Sequence, residues 1–81
     1  MKKVYTDPII QHVASRITSY RFEHDLTQEE LAREAGMHRN YLAYIEKGSI
    51  NIGMIALERI AFAMHMTPAD LLEGYDPMED E

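Results

Sequence analysis

The chain has 81 residues, of which 46% are hydrophobic and 9% aromatic, and it contains no cysteine. This length allows one small domain, and the lack of cysteine excludes disulfides, thiolate zinc sites and cysteine nucleophiles. Because no apolar run could span a bilayer and no signal-peptide core follows Met1, we expect a cytoplasmic protein with no membrane partner.

The formal net charge of −6 is concentrated at the C-terminal end. Residues 70–81 contain six acidic residues and no basic one, whereas residues 1–69 contain eight of each. We therefore expect residues 1–74 to form the folded domain and residues 75–81 to be an acidic, flexible tail. The charge of the folded part alone does not exclude an anionic partner such as DNA.

The first half of the chain predicts two helices. Asp7 as N-cap and Pro8 at the first helical position predict the start of the first helix, and its apolar residues recur on one face. Thr27 and Glu30 form a capping box, so a second helix should begin at Gln28. This helix is expected to stop at Gly36.

Three more helices follow. The third should begin near Arg39 and end at Gly48, the fourth should run from about Met54 to His65, and the fifth, capped by Thr67-Pro68-Ala69-Asp70, should stop at Gly74. The predicted fold class is all-α, and the second and third helices, joined by a short turn, outline a helix-turn-helix motif.

The segment Leu26–Leu72 resembles the Cro and phage-repressor (XRE) type of helix-turn-helix family, which includes the controller proteins of restriction-modification systems. Three stretches carry the resemblance: LTQEELAREAG at 26–36, YLAYIEKG at 41–48 and LERIA at 57–61. It implies a compact five-helix, lambda-repressor-like DNA-binding domain. The implied function is sequence-specific regulation of transcription by a homodimer bound to a palindromic operator.

By this resemblance the third helix is the recognition helix, and Arg39 and Asn40 contact base edges of double-stranded DNA. Both residue types suit that role, since Arg can donate two hydrogen bonds to guanine and Asn can pair with adenine. Tyr44 should face outward with Ala43 beside it. Tyr44 then either contacts a thymine methyl group or a phosphate, or packs between helices.

Four residues are candidates for phosphate contacts. Family members use Gln at the position of Gln28, where the helix N-terminus attracts anions, although a purely capping role is the alternative. Tyr41 either packs on the scaffold or reaches a phosphate, and Lys47 and Asn51 flank the start of the fourth helix.

The resemblance also pairs Arg21 with Glu46, which would tie the first helix to the third.

Three positions depart from the family pattern. Asp25 replaces a usual Gly, which is tolerable because Asp can adopt the left-handed conformation. His38 replaces a Ser-like cap and should weaken the start of the recognition helix, and Ile50 stands where controller proteins often carry a DNA-contacting Arg.

The sequence offers no motif for catalysis, and its four histidines lie on different helices without the spacing of a zinc pair. We therefore expect no enzyme activity, metal, cofactor or small-molecule effector. The acidic residues on the outer side of the second helix either form a solvated face or contact RNA polymerase, as in some phage relatives. They are Glu29, Glu30 and Glu34.

The dimer surface is assigned to the fourth and fifth helices, with apolar contacts from Ile55, Phe62, Met66, Leu71 and Leu72.

An alternative function has the same fold but does not involve DNA binding. In it, the chain is a protein-interaction adaptor, such as an antitoxin, whose helical domain or acidic tail binds a protein partner.

Overall fold

The computed structural model describes residues 7–76, and this part of the chain contains five α-helices and no β-strand. The helices are α1 (Pro8–Glu23), α2 (Gln28–Glu34), α3 (Arg39–Glu46), α4 (Met54–Ala63) and α5 (Pro68–Leu72). The predicted all-α, five-helix fold is confirmed. The predicted acidic tail falls mostly on residues 77–81, outside the described residues.

All five helices contribute apolar side chains to one core. α1 packs against α3 and α5, while α2 packs against α3 and α4. Burying a large aliphatic side chain contributes about 1.5–3 kcal/mol. This burial stabilises α2 and α3, which have 7 and 8 residues and are too short to be stable alone. The largest fully buried side chains are Ile17, Leu31, Leu42, Ile60, Met64 and Leu71.

Side-chain caps fix the starts of α2 and α5. The Thr27 hydroxyl accepts a hydrogen bond from Glu30 N–H at 3.0 Å, and the Glu30 carboxylate accepts one from Thr27 N–H at 2.9 Å. Thr67 and Asp70 form the same reciprocal pair ahead of α5. Asp7 occupies the N-cap position of α1 but makes no side-chain capping bond. Pro8, which has no N–H, leaves one unpaired donor fewer at the start of the helix.

The prediction that the fourth helix extends to His65 is wrong, because α4 ends at Ala63. His65 adopts φ +61°, which lets Met66 N–H bond to Ala61 O at 2.9 Å and closes the helix. Histidine is among the residue types that enter this left-handed region more readily than most. The expected left-handed Asp25 closes α1 in the same way, at φ +55°.

Gly48 ends α3 at a close approach between helices. Its φ is +71°, and a Cβ atom there would collide with the side-chain amide of Gln11 on α1. The left-handed backbone conformation therefore favours glycine, whereas the flexible Gln11 side chain could move to relieve the contact.

One predicted dimer residue is unavailable. Leu71 is fully buried, because α5 packs against α1 and α4 and turns this side chain toward the core. Leu72 is half-buried and also packs against the core. Ile55 and Phe62 remain 67% and 82% exposed.

None of the helices within residues 7–76 is long and apolar enough to cross a bilayer.

Candidate nucleic-acid interface

α3 exposes a row of polar and aromatic side chains opposite its buried residues Leu42 and Ile45. Arg39 and Asn40 are exposed in the first turn, and Tyr44 is 50% exposed one turn later. Ala43, beside Tyr44, is half-buried. The row therefore offers two groups that can hydrogen-bond to bases and one aromatic ring.

Lys47 extends this row beyond the end of α3. Its ammonium nitrogen lies 5.9 Å from the centroid of the Tyr44 ring, a distance at which the cation is attracted to the ring face. The contact places a positive charge beside the exposed aromatic ring. Both side chains are then presented on the same side of the helix.

His38 caps α3 despite its departure from the family pattern. Its Nδ1 accepts a hydrogen bond from Asn40 N–H at 3.0 Å. The start of α3 therefore keeps a side-chain cap at this position.

The Arg21 side chain links three parts of the fold. It donates two hydrogen bonds to the Glu46 carboxylate, at 2.9 and 3.0 Å, and a third to Leu26 O at 3.0 Å. The side chains of Arg21 and Glu46 are only 13% and 6% exposed. The bonds to Glu46 hold the pKa of Arg21 above its ordinary value. This two-bond geometry fixes the end of α1 relative to α3.

Gln28 joins the same network, a contact that sequence reasoning missed. Its Nε2 donates to Glu46 Oε1 at 3.0 Å, which uses one of the two N–H bonds of the amide. The second N–H remains able to donate to another group. The two residues are 18 positions apart, so no local pattern could have revealed the bond.

An open cleft lies between the end of α1 and the starts of α2 and α3. Gln28 lines one part of it and Arg39 another. Phe22, which sequence reasoning also missed, lines the same cleft and is 69% exposed. The other lining residues are Arg21, Asp25, Leu26, Thr27 and Glu29.

The remaining candidate residues are more dispersed. Tyr41 is half-buried and packs against the core, whereas Asn51 is exposed in the connection to α4. Glu29 and Glu34 are exposed on α2, and the carboxylate of Glu30 is used by the capping box. Among residues 7–76, no three histidine, aspartate or glutamate side chains are arranged to hold a metal ion.

Comparison with protein families gives a match to a model described as helix-turn-helix, over residues 17–71. The control protein C.BamHI of Bacillus amyloliquefaciens is 39% identical over 49 residues, which cover 60% of each protein. The control protein C.SmaI of Serratia marcescens is 33% identical over 60 residues, which cover 74% of this chain and 71% of that protein. The match thus spans less than two thirds of C.BamHI.

A solved structure has the same fold. The restriction-modification controller protein C.Esp1396I, crystallised as a tetramer in complex with its natural 35 base-pair operator, superposes with a TM-score of 0.75. It is 28% identical to this chain, and the match covers 83% of this chain and 88% of that protein.

Proposed function

Because the chain belongs to the XRE-type helix-turn-helix family of DNA-binding transcription regulators, we propose that it binds specific operator sequences by placing α3 in the major groove. The observation that carries this proposal is the exposed row of Arg39, Asn40 and Tyr44 on α3. A helix in the major groove reads bases through such side chains in its N-terminal part. Because such a regulator acts on DNA, the cytoplasm is its proposed location.

Arg39 and Asn40 supply the base readout. Arg39 donates two hydrogen bonds to guanine O6 and N7, and Asn40 pairs with adenine N6 and N7. Each such pair discriminates between bases by about 1–3 kcal/mol. Tyr44 and Ala43, one turn later, offer apolar contact to a thymine methyl group.

Phosphate contacts set the position of α3 in the groove. The free N–H of the Gln28 side-chain amide, at the start of α2, faces a phosphate. Lys47 and Asn51 contact the backbone near the start of α4, and the hydroxyl of the half-buried Tyr41 reaches it from α3. Exposure of Lys47 and Asn51 supports this assignment.

The exposed face of α4 supports a homodimer. Ile55 and Phe62 are seven residues apart, so they lie on one face of the helix two turns apart, and both are mostly exposed. Isologous pairing of this face gives a two-fold dimer. Two copies of α3 then read a palindromic operator whose half-sites lie about 10 base pairs apart. C.Esp1396I, a tetramer on its operator, is a multimeric relative.

Selection of binding sites from random duplexes tests the proposal, at low and at physiological salt. Arg39→Ala is compared with Arg33→Ala, which removes the same charge from an exposed position on α2. We expect a two-fold-symmetric motif whose guanine preference weakens only in Arg39→Ala. If the wild-type protein enriches no motif at either salt concentration, the DNA-binding proposal is wrong and the adaptor function becomes the better explanation.

A further inference from the structure

Phe22 leaves an aromatic ring exposed near the C-terminal end of α1. The side chain is 69% exposed, although burying a phenylalanine ring would contribute about 1.5–3 kcal/mol. The Arg21 guanidinium lies 4.8 Å from the ring centroid and covers one face. The ring is therefore held in place but still offers apolar surface.

The position of the ring connects it to the proposed DNA-binding surface. Phe22 lines the same open cleft as Gln28 and Arg39. These two residues are the proposed phosphate contact and the proposed guanine contact. A duplex bound by both residues would carry its sugar-phosphate backbone across the mouth of this cleft. We infer that Phe22 packs against a deoxyribose ring of that backbone, an inference that rests on the proposed function.

The charges around the ring favour the sugar over the phosphate. The charge of Arg21 is compensated by Glu46. Of the other charged residues in the cleft, Asp25 and Glu29 are acidic and only Arg39 is basic. A phosphate seated against the ring, away from Gln28, would find no hydrogen-bond donor there, whereas the uncharged C–H face of deoxyribose can pack on the ring. The contact is apolar and carries no sequence information by itself.

Because the proposed contact is apolar, loss of the Phe22 ring and loss of a phosphate contact should affect DNA binding differently. A phosphate contact contributes affinity through released counterions, so its loss reduces the salt dependence of binding. Loss of an apolar contact to sugar lowers affinity and leaves the salt dependence unchanged. Lys47→Ala, which removes a proposed phosphate contact, should reduce the salt dependence and serves as the comparison.

The first test measures affinity for a duplex carrying the selected site and for a scrambled duplex, over a range of salt concentrations. We expect Phe22→Ala to weaken binding to both duplexes by about five- to tenfold, with an unchanged salt slope, and Phe22→Leu to retain most of the affinity. Ser19→Ala, an exposed position one turn earlier on α1, is the control. Circular dichroism verifies that each variant is folded.

The second test identifies the partner directly. A benzophenone amino acid in place of Phe22, which reacts with nearby C–H bonds on irradiation, should crosslink to DNA. The same group in place of Phe62 should crosslink to a second copy of the chain. If the wild-type protein binds the duplex but Phe22→Ala binds equally well, or position 22 crosslinks only to protein, the inference alone is wrong. If the wild-type protein binds neither duplex, the proposed function fails with it.

Discussion

Arg21 and Glu46 show how much one pair of side chains can determine. Their charges are largely removed from water, and three hydrogen bonds from the guanidinium compensate for that loss. If one partner is removed, the other charge stays buried without compensation, which costs about 3 kcal/mol or more. The pair therefore contributes to stability mainly through the penalty for breaking it.

We accordingly expect Arg21→Ala to lower the free energy of unfolding by about 3 kcal/mol. Urea denaturation followed by circular dichroism measures this change. Arg33→Ala, at an exposed position on α2, should stay within about 0.5 kcal/mol of the wild type. An Arg21→Ala variant that unfolds at the wild-type urea concentration would contradict a structural role for the pair.

At the scale of the element, the capping box of α2 makes stability depend on pH. Hydrogen bonds from the backbone and the side chain of Thr27 hold the pKa of Glu30 below its usual value of 4.5. A carboxylate with a lowered pKa in the folded state stabilises that state above its unfolded pKa. The contribution is then lost as the pH falls through the folded pKa.

Glu30→Gln keeps the shape of the side chain and removes its charge. We expect the wild type to be the more stable protein at neutral pH, and the difference to shrink as the pH is lowered below about 4.5. Thermal unfolding between pH 7 and pH 3 measures the difference in stability between the wild type and Glu30→Gln. Glu29→Gln, which removes a charge from the same turn but no capping bond, is the control. A difference that stays constant across this range would show that the charge of Glu30 is not involved.

At the scale of the whole molecule, the α4 face of Ile55 and Phe62 determines the oligomeric state that we propose. Phe62 is 82% exposed, so Phe62→Glu should leave the fold unchanged while it places two like charges across the two-fold axis. We expect its dimer to dissociate at a concentration at least about tenfold higher than that of the wild type, because a 1.4 kcal/mol loss has that effect.

Analytical ultracentrifugation measures this dissociation, with Ser15→Glu as a control that adds the same charge to an exposed position on α1. Operator binding by Phe62→Glu should also become less cooperative. A wild-type protein that stays monomeric at high micromolar concentration, with and without DNA, would rule out the dimer.

The part of this fold that could be predicted from sequence is the local part. Thr27 and Thr67 form capping boxes with residues three positions away, and a pattern of that length is visible in the sequence. The burial of Leu71 and the exposure of Phe22 depend instead on how helices distant in the chain pack together. The Gln28–Glu46 bond depends on the same packing. The candidate base-contacting residues came from family resemblance and remain predictions.

The hydrogen bond from Gln28 to Glu46 has a consequence for conformational entropy. A free glutamine side chain loses up to about 2 kcal/mol of rotational freedom when it is immobilised. Here that loss occurs when the protein folds, because Glu46 already orients the amide. Binding a ligand at Gln28 then requires little further ordering of the side chain. The proposed phosphate contact of Gln28 is thus preorganised, and we expect a substitution that loosens Glu46 to lower stability and DNA affinity together.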